Sequence, residues 1–306
     1  MIISILAVLY QSKAHAEHGN NETPRIAVLF PTVSEQHSQM FDQIINGIRS
    51  IPGYSFYPFR VTSESNSDQL REWSEQNFID GYIALGQSTY KLVLATETKL
   101  PLITGGMVSA PPGINGISLS ADPEAFFRYL QLLNPGVTRV YYIYSQHNNG
   151  WLTERARKIS REYKIEFIAL EVNDIKEATL EYKIILKSIK SKTDALWLPL
   201  DNIAPLDFLL PDILKEAWDR NFVVFSNNLQ HTRRGTLFSL YPDHYKQGRR
   251  LVAMMQRRLE DNNIKPVLLA SIDLNIAVNI RTAAHLEMTL EKNLLDKFDQ
   301  IYPANN

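Results

Sequence analysis

The sequence predicts an α/β protein of two lobes, each built on a parallel sheet. Three observations lead there. Short β-rich runs alternate with longer helix-compatible segments from Arg25 onward, the pattern of strands whose crossovers are helices. The alternation runs through two complete series, one after the other. The length of 306 residues, 44% of them hydrophobic, exceeds what one core usually organises, so two cores are expected.

The first strand is residues 26–30, closed by Pro31-Thr32-Val33-Ser34. Residues 35–50 place Met40, Ile44, Ile45 and Ile48 at helical spacing and form the first crossover helix. The second strand is 54–61 and the second helix 67–77, with Ser67 or Asp68 as its cap. A strand at 81–85, a helix at 88–96 and a strand at 100–104 follow. Gly105-Gly106 then breaks the chain where backbone can approach a ligand closely. Asp122-Pro123-Glu124 opens the second series, with proline in the first turn and acids at the positive end of the helix dipole. Its strands fall at 139–144, 166–172, 195–200, 222–225 and 235–240, with helices at 151–163, 177–188 and 205–219. A long helix at 245–262, a strand at 268–272 and an amphipathic tail complete the chain. Two such arrays make two Rossmann-like lobes.

In open parallel sheets ligands sit beyond the carboxyl ends of the strands. That rule selects Thr32, Ser34, Gln87, Ser88, Gly105, Gly106, Ser145, Gln146, Asn148, Asp201, Asn202, Asn227, Tyr241 and Asp243 as the lining of a cleft between lobes. These are mostly neutral hydrogen-bonding groups, suited to orienting a polar ligand more than to proton transfer. Ser, Asn and Asp also gather after strands because they cap helices, so the set carries more weight than any one member.

Several function classes are excluded. With 32 basic against 33 acidic residues, no global field draws nucleic acid or an anionic membrane. The absence of cysteine removes disulfides, thiolate metal sites and a cysteine nucleophile. The seven histidines show no His-x-x-x-His spacing, so no metal site is expected, and no phosphate loop or other cofactor motif occurs. Gly86-Gln87-Ser88-Thr89-Tyr90 lacks the second glycine of a nucleophile elbow; no enzyme is expected. Trp73, Trp197 and Trp218 are assigned to packing, and Trp151, just past a cleft loop, to stacking on a ligand.

At the N-terminus an apolar run at 2–10 precedes Ala14-His15-Ala16, a small-x-small cleavage pattern. The run is about half the ~20 residues of a membrane span. A secretory signal over 1–16, cut after Ala16, and a soluble periplasmic product are expected, although no positive residue precedes the apolar run.

Near the C-terminus Gly235-Thr236-Leu237-Phe238-Ser239-Leu240-Tyr241-Pro242-Asp243-His244-Tyr245 leads to Gly248, and later to Val278-Asn279-Ile280-Arg281-Thr282-Ala283. Leu133-Asn134-Pro135-Gly136 and Pro199-Leu200-Asp201-Asn202 precede them. The ordered set resembles the substrate-binding proteins of ABC transporters, tryptophan/tyrosine type, over about residues 25–290. The resemblance implies a type I periplasmic binding fold with three crossing strands and a ligand held by hinge closure. It implies lobe 1 at 25–119 plus 239–272 and lobe 2 at 120–238 plus 273–306. It makes Asp201 and Asn202 ligand contacts, and puts Asn227 and Asp243 on the hinge side of the cleft. Ser145-Gln146-His147-Asn148-Asn149 and Thr104-Gly105-Gly106-Met107 each lack a carboxylate that the family carries. The implied partners are a small-molecule ligand, an amino acid or related molecule, and an ABC permease, with the protein a monomer. The same fold serves membrane sensors, and a degenerate binding protein is the third reading.

Overall fold

The computed structural model describes residues 23–109, 113–201 and 203–304. The expected signal segment and Asn202 lie outside the described residues. In chain order the first elements are β1 (Arg25–Pro31), α1 (Glu35–Arg49), β2 (Ser55–Val61), α2 (Ser67–Gln76), β3 (Gly81–Leu85), α3 (Gln87–Ala95), β4 (Leu102–Met107) and β5 (Gly116–Ala121). A second series follows: α4 (Pro123–Leu133), β6 (Arg139–Tyr144), α5 (Gln146–Glu162), β7 (Glu166–Glu171), α6 (Ile175–Ser188), β8 (Asp194–Leu198), α7 (Leu206–Arg220), β9 (Val223–Ser226), α8 (Leu229–Arg234) and β10 (Phe238–Pro242). The chain closes with α9 (His244–Glu260), β11 (Leu268–Ser271), β12 (Leu274–Asn279), α10 (Ile280–His285), α11 (Lys292–Leu295) and β13 (Gln300–Tyr302).

The strands form a parallel six-stranded sheet in the order β11-β5-β4-β3-β1-β2 and a seven-stranded sheet in the order β13-β12-β10-β9-β8-β6-β7. In the second sheet β12 runs antiparallel to β10. Strand alternation sorts each core into two faces. In the first lobe Ile26 and Val28 pack toward Ile44, Leu251 and Met255, while Ala27 and Leu29 pack toward Leu70 and Val93. In the second, Trp197 and Phe225 meet Phe126 and Phe127, and Leu196 and Leu198 meet Ile185 and Ile213.

The chain passes between the sheets three times, after β5, β10 and β11. One buried side chain gathers two of these passages: Gln247 Nε2 donates to Ser118 O at 3.1 Å and to Ser271 Oγ at 3.3 Å. Ser271 Oγ donates to Ser118 O at 3.0 Å. Arg155 grips Asp122 at the first passage at 2.6 and 2.9 Å, and Arg250 reaches Asp273 at the third at 2.8 Å. Beside them α1 and α9 cross closely. A methyl on Gly248 would fall on the backbone of Ile44, and one on Gly47 on that of Tyr245, so each glycine is needed for the approach.

The sheets correct several expectations. β10 pairs with β9 and β12, so the passage into the first lobe comes at Asp243 and not at 239. β5 extends the first lobe to Ala121, beyond 119. The cap of α2 is Asn66, in a reciprocal capping box with Gln69, ahead of Ser67 and Asp68. β4 runs through Gly105-Gly106 to Met107 and is not broken there. α5 begins at Gln146, five residues before the expected 151, so the expected loop is its first turn. Trp218 is 40% exposed and stacks on His285 at 3.6 Å instead of joining a core.

Candidate functional site

A cleft of about 550 Å³ opens between the lobes, lined on one side by Gln87, Gly106, Met107, Val108 and Ser109, and on the other by residues of the β6, β8 and β9 ends. The first wall is set by two glycines in the left-handed region, Gly86 at φ 93° and Gly106 at φ 65°. Both pack against Phe41, where a Cβ on Gly106 would crowd the ring at 3.0 Å, and Gly86 N donates to Gly105 O at 2.8 Å. Glycine permits that backbone at no steric cost, which turns Gln87 and Ser109 toward the other lobe.

The second wall centres on Asp201, three residues past the end of β8. Its Oδ1 accepts from Asn148 Nδ2 at 2.9 Å and from Ile203 N at 3.0 Å. Its Oδ2 accepts from Asn149 Nδ2 at 2.8 Å. The first turn of α5 supplies both amides, which fixes the carboxylate against rotation. Ser109 Oγ donates to Asn148 Oδ1 at 3.5 Å, so a residue of the first lobe touches the group that holds Asp201. Asn149 Oδ1 on α5, Tyr142 OH on β6 and Tyr182 OH on α6 are buried polar atoms without hydrogen-bond partners. Burial pushes both phenols up, and the Asp201 charge pushes them further.

His231 also borders the cleft. Burial and the nearby Arg234 lower its pKa to about 4, with Asp207 opposing. Its Nδ1 pairs with Ser226 Oγ at 2.8 Å. The pair has the distance of a nucleophile and its base, but Ser226 is fully buried and its Oγ also faces Leu198 O and the Asn228 amide. That hydroxyl shapes the β9 end and does not face the cleft. No cluster of three or more His, Asp or Glu side chains suited to a metal occurs among the described residues.

Of the residues selected from sequence, the cleft brings together Gln87, Gly106, Asn148 and Asp201. The others among the described residues lie outside its lining. Thr32, Ser34, Ser88 and Gln146 are exposed beside it, and the Gln146 amide lies against Gly150. Gly105 makes room for Leu251 of α9. Ser145 is buried at the start of α5, its carbonyl accepting from Asn149 N at 2.9 Å. Asn227 is buried and accepts from Trp197 Nε1 at 2.7 Å. Burial, with Asp299 and Tyr302 nearby, pushes Tyr241 up to about 12. Asp243 caps α9; burial would raise its pKa, but the amide and ammonium of Lys246 hold it low. Trp151 is half-buried and does not line the cleft.

Sequence reasoning missed Met107, Val108 and Ser109, because the break was placed two residues too early. It also missed Leu206, Asp207 and Phe208, which open α7 on the second wall. Phe208 is 83% exposed, an apolar side chain in a first turn that packing does not require.

A two-lobed α/β chain with a polar cleft at its strand ends is the geometry of a binding receptor. The family model for ABC transporter substrate binding proteins matches residues 102–301. The chain belongs to that family. Substrate-binding proteins of this kind take a small molecule and serve a transporter, and a solute-binding role follows for this chain. A ligand-free, open substrate-binding protein with adhesive properties from Clostridium difficile is similar in fold, with a TM-score of 0.63 at 13% identity, covering 90% of this chain and 98% of that one. A conserved domain protein from Vibrio cholerae gives 0.57 at 16%, covering 92% and 100%. An ABC domain from Streptococcus pneumonia in complex with L-Trp gives 0.56 at 18%, also covering 92% and 100%. At these identities the likeness is one of fold, the type I periplasmic binding architecture. No curated protein matches the sequence. No helix among the described residues is long and apolar enough to cross a membrane.

Proposed function

We propose that this substrate-binding protein is exported to the periplasm, closes its lobes on an amino acid or related small polar molecule, and delivers it to an ABC permease without altering it. The observation that carries the reading is the Asp201 carboxylate, held by Asn148 and Asn149 at one wall of the cleft and facing a first-lobe wall of Gln87, Gly106, Met107, Val108 and Ser109. A fixed acceptor on one lobe and adaptable groups on the other suit capture followed by closure. The expected signal, cut after Ala16, supports export, and the family supports the permease.

The test is a thermal-shift screen of the chain from Glu17 onward against amino acids, small peptides, nucleosides and organic acids. A ligand that binds only the folded state at 100 times its dissociation constant adds about 2.7 kcal/mol. A clear shift with one class supports the reading. No shift with any class removes the solute-capture step.

A further inference from the structure

The cleft has a charge without a counter-charge. Asp201 forms no ion pair among the described residues; its partners are two neutral amides and one backbone N–H. No lysine or arginine lines the cleft. The second carboxylate there, Asp207, already has a cation, Arg234 at 3.8 Å. Of the two lining histidines, His231 is neutral at pH 7, because burial and Arg234 lower its pKa to about 4.

A carboxylate that is partly desolvated and hydrogen-bonded but unpaired is stabilised by a cation brought from outside. Along the wall from Asp201, Leu206 and Phe208 face Met107 and Val108, apolar surface that water alone does not favour.

We infer that the ligand is an organic cation lacking a carboxylate, an amine or amidine with an apolar body, whose charged end meets Asp201 and whose body lies along Phe208. The inference rests on the solute-binding reading and narrows it. A zwitterion would bring a carboxylate into a cleft that no lysine or arginine lines among the described residues. The helix starts there supply amides, which bind carboxylates in other proteins, and matched ligands measure whether they do so here.

The experiment is isothermal titration calorimetry of the full mature chain with matched pairs: tryptamine against tryptophan, phenethylamine against phenylalanine, agmatine against arginine. The expected result is at least tenfold tighter binding of one amine than of its parent amino acid. Asp201→Asn should remove that preference while keeping the thermal unfolding profile of the parent chain. If Asp201→Asn does not fold, the pairs decide alone. Equal or tighter binding of the amino acids overturns the inference and leaves solute capture standing, as does binding of a neutral or anionic solute but no amine. Silence from every pair and from the wider screen overturns both.

Discussion

The two lobes share a fold plan but are packed by different chemistry. The second lobe is centred on an aromatic stack in which Trp197 lies 4.6 Å from Phe126 and 4.7 Å from Tyr142, ring centre to ring centre. The first lobe is packed by aliphatic side chains and by glycines that let α1 and α9 touch backbone to backbone. The site follows the same division. The aromatic-packed lobe carries the fixed carboxylate, and the glycine-rich lobe offers Gly106 and its neighbours across the cleft. Pre-organising one wall and leaving the other to adapt lets a receptor hold an anchor group firmly and still close over it.

The sharpest break in that comparison is Trp197→Ala. It empties the centre of the aromatic stack and leaves Asn227 without its donor, so a loss of about 4 kcal/mol is expected. Chemical denaturation followed by tryptophan fluorescence and circular dichroism would show it as early unfolding of the second lobe; a loss under 1 kcal/mol would mean the stack is not the organising core. The counterpart in the first lobe is Gly248→Ala. The added methyl meets the backbone of Ile44, which cannot move aside as a side chain can, so about 3 kcal/mol of destabilisation is expected. The same change at Gly53, where nothing lies within 4 Å but φ is 85°, should cost only about 1 kcal/mol, and equal effects at both positions would remove the close helix crossing from the account.

Smaller than the losses at Trp197 and Gly248 is an effect in acid. The folded-state pKa of His231 is about 4, below its unfolded value near 6.5, so the unfolded chain takes up the proton first. Stability is then intact above about pH 6.5 and falls as pH drops toward 4, by on the order of 2 kcal/mol. Burial lowers His244 in the same direction at the start of α9. Urea midpoints at pH 7 and pH 4.5 would show the loss, and His231→Asn should flatten it. An unchanged slope in the variant would transfer the effect to His244 and the first lobe.

The alternation of strand and helix was legible from sequence because parallel strands buried on both faces are short apolar runs. β3 and β6 were read to the residue, and β1 and β2 nearly so. β5 was not. Its Gly-Ile-Ser-Leu-Ser-Ala pattern looks like a polar connection, yet Ser118 and Ser120 are buried, and Ser118 Oγ donates to Val108 O at 2.5 Å. The start of α5 was hidden for a related reason. Gln-His-Asn-Asn-Gly is a poor helix former, and here two of its amides are held by Asp201, a partner fifty residues away that periodicity does not reveal. In the site, capping and ligand contact recruit the same residue types. Asp243 was therefore selected with Asp201, although one closes a helix end and the other faces the cleft. Phe208 escaped notice because nothing in its own sequence neighbourhood distinguishes a wall residue from a core one.

The pairing of α1 with α9 also sets the order in which the molecule can be made. Arg249 Nη1 donates to Ser50 Oγ across 199 residues, and β11, at the edge of the first sheet, is reached only after β6 to β10 of the second lobe have been threaded. A chain emerging from the ribosome therefore has five of the seven strands of its second sheet before the first lobe can close its core. Contacts of such separation form slowly, because their loop entropy is lost before they contribute. The lobe that begins the sequence stays unfinished until α9 and β11 arrive, and until then Ile44 and its neighbours have no α9 to cover them.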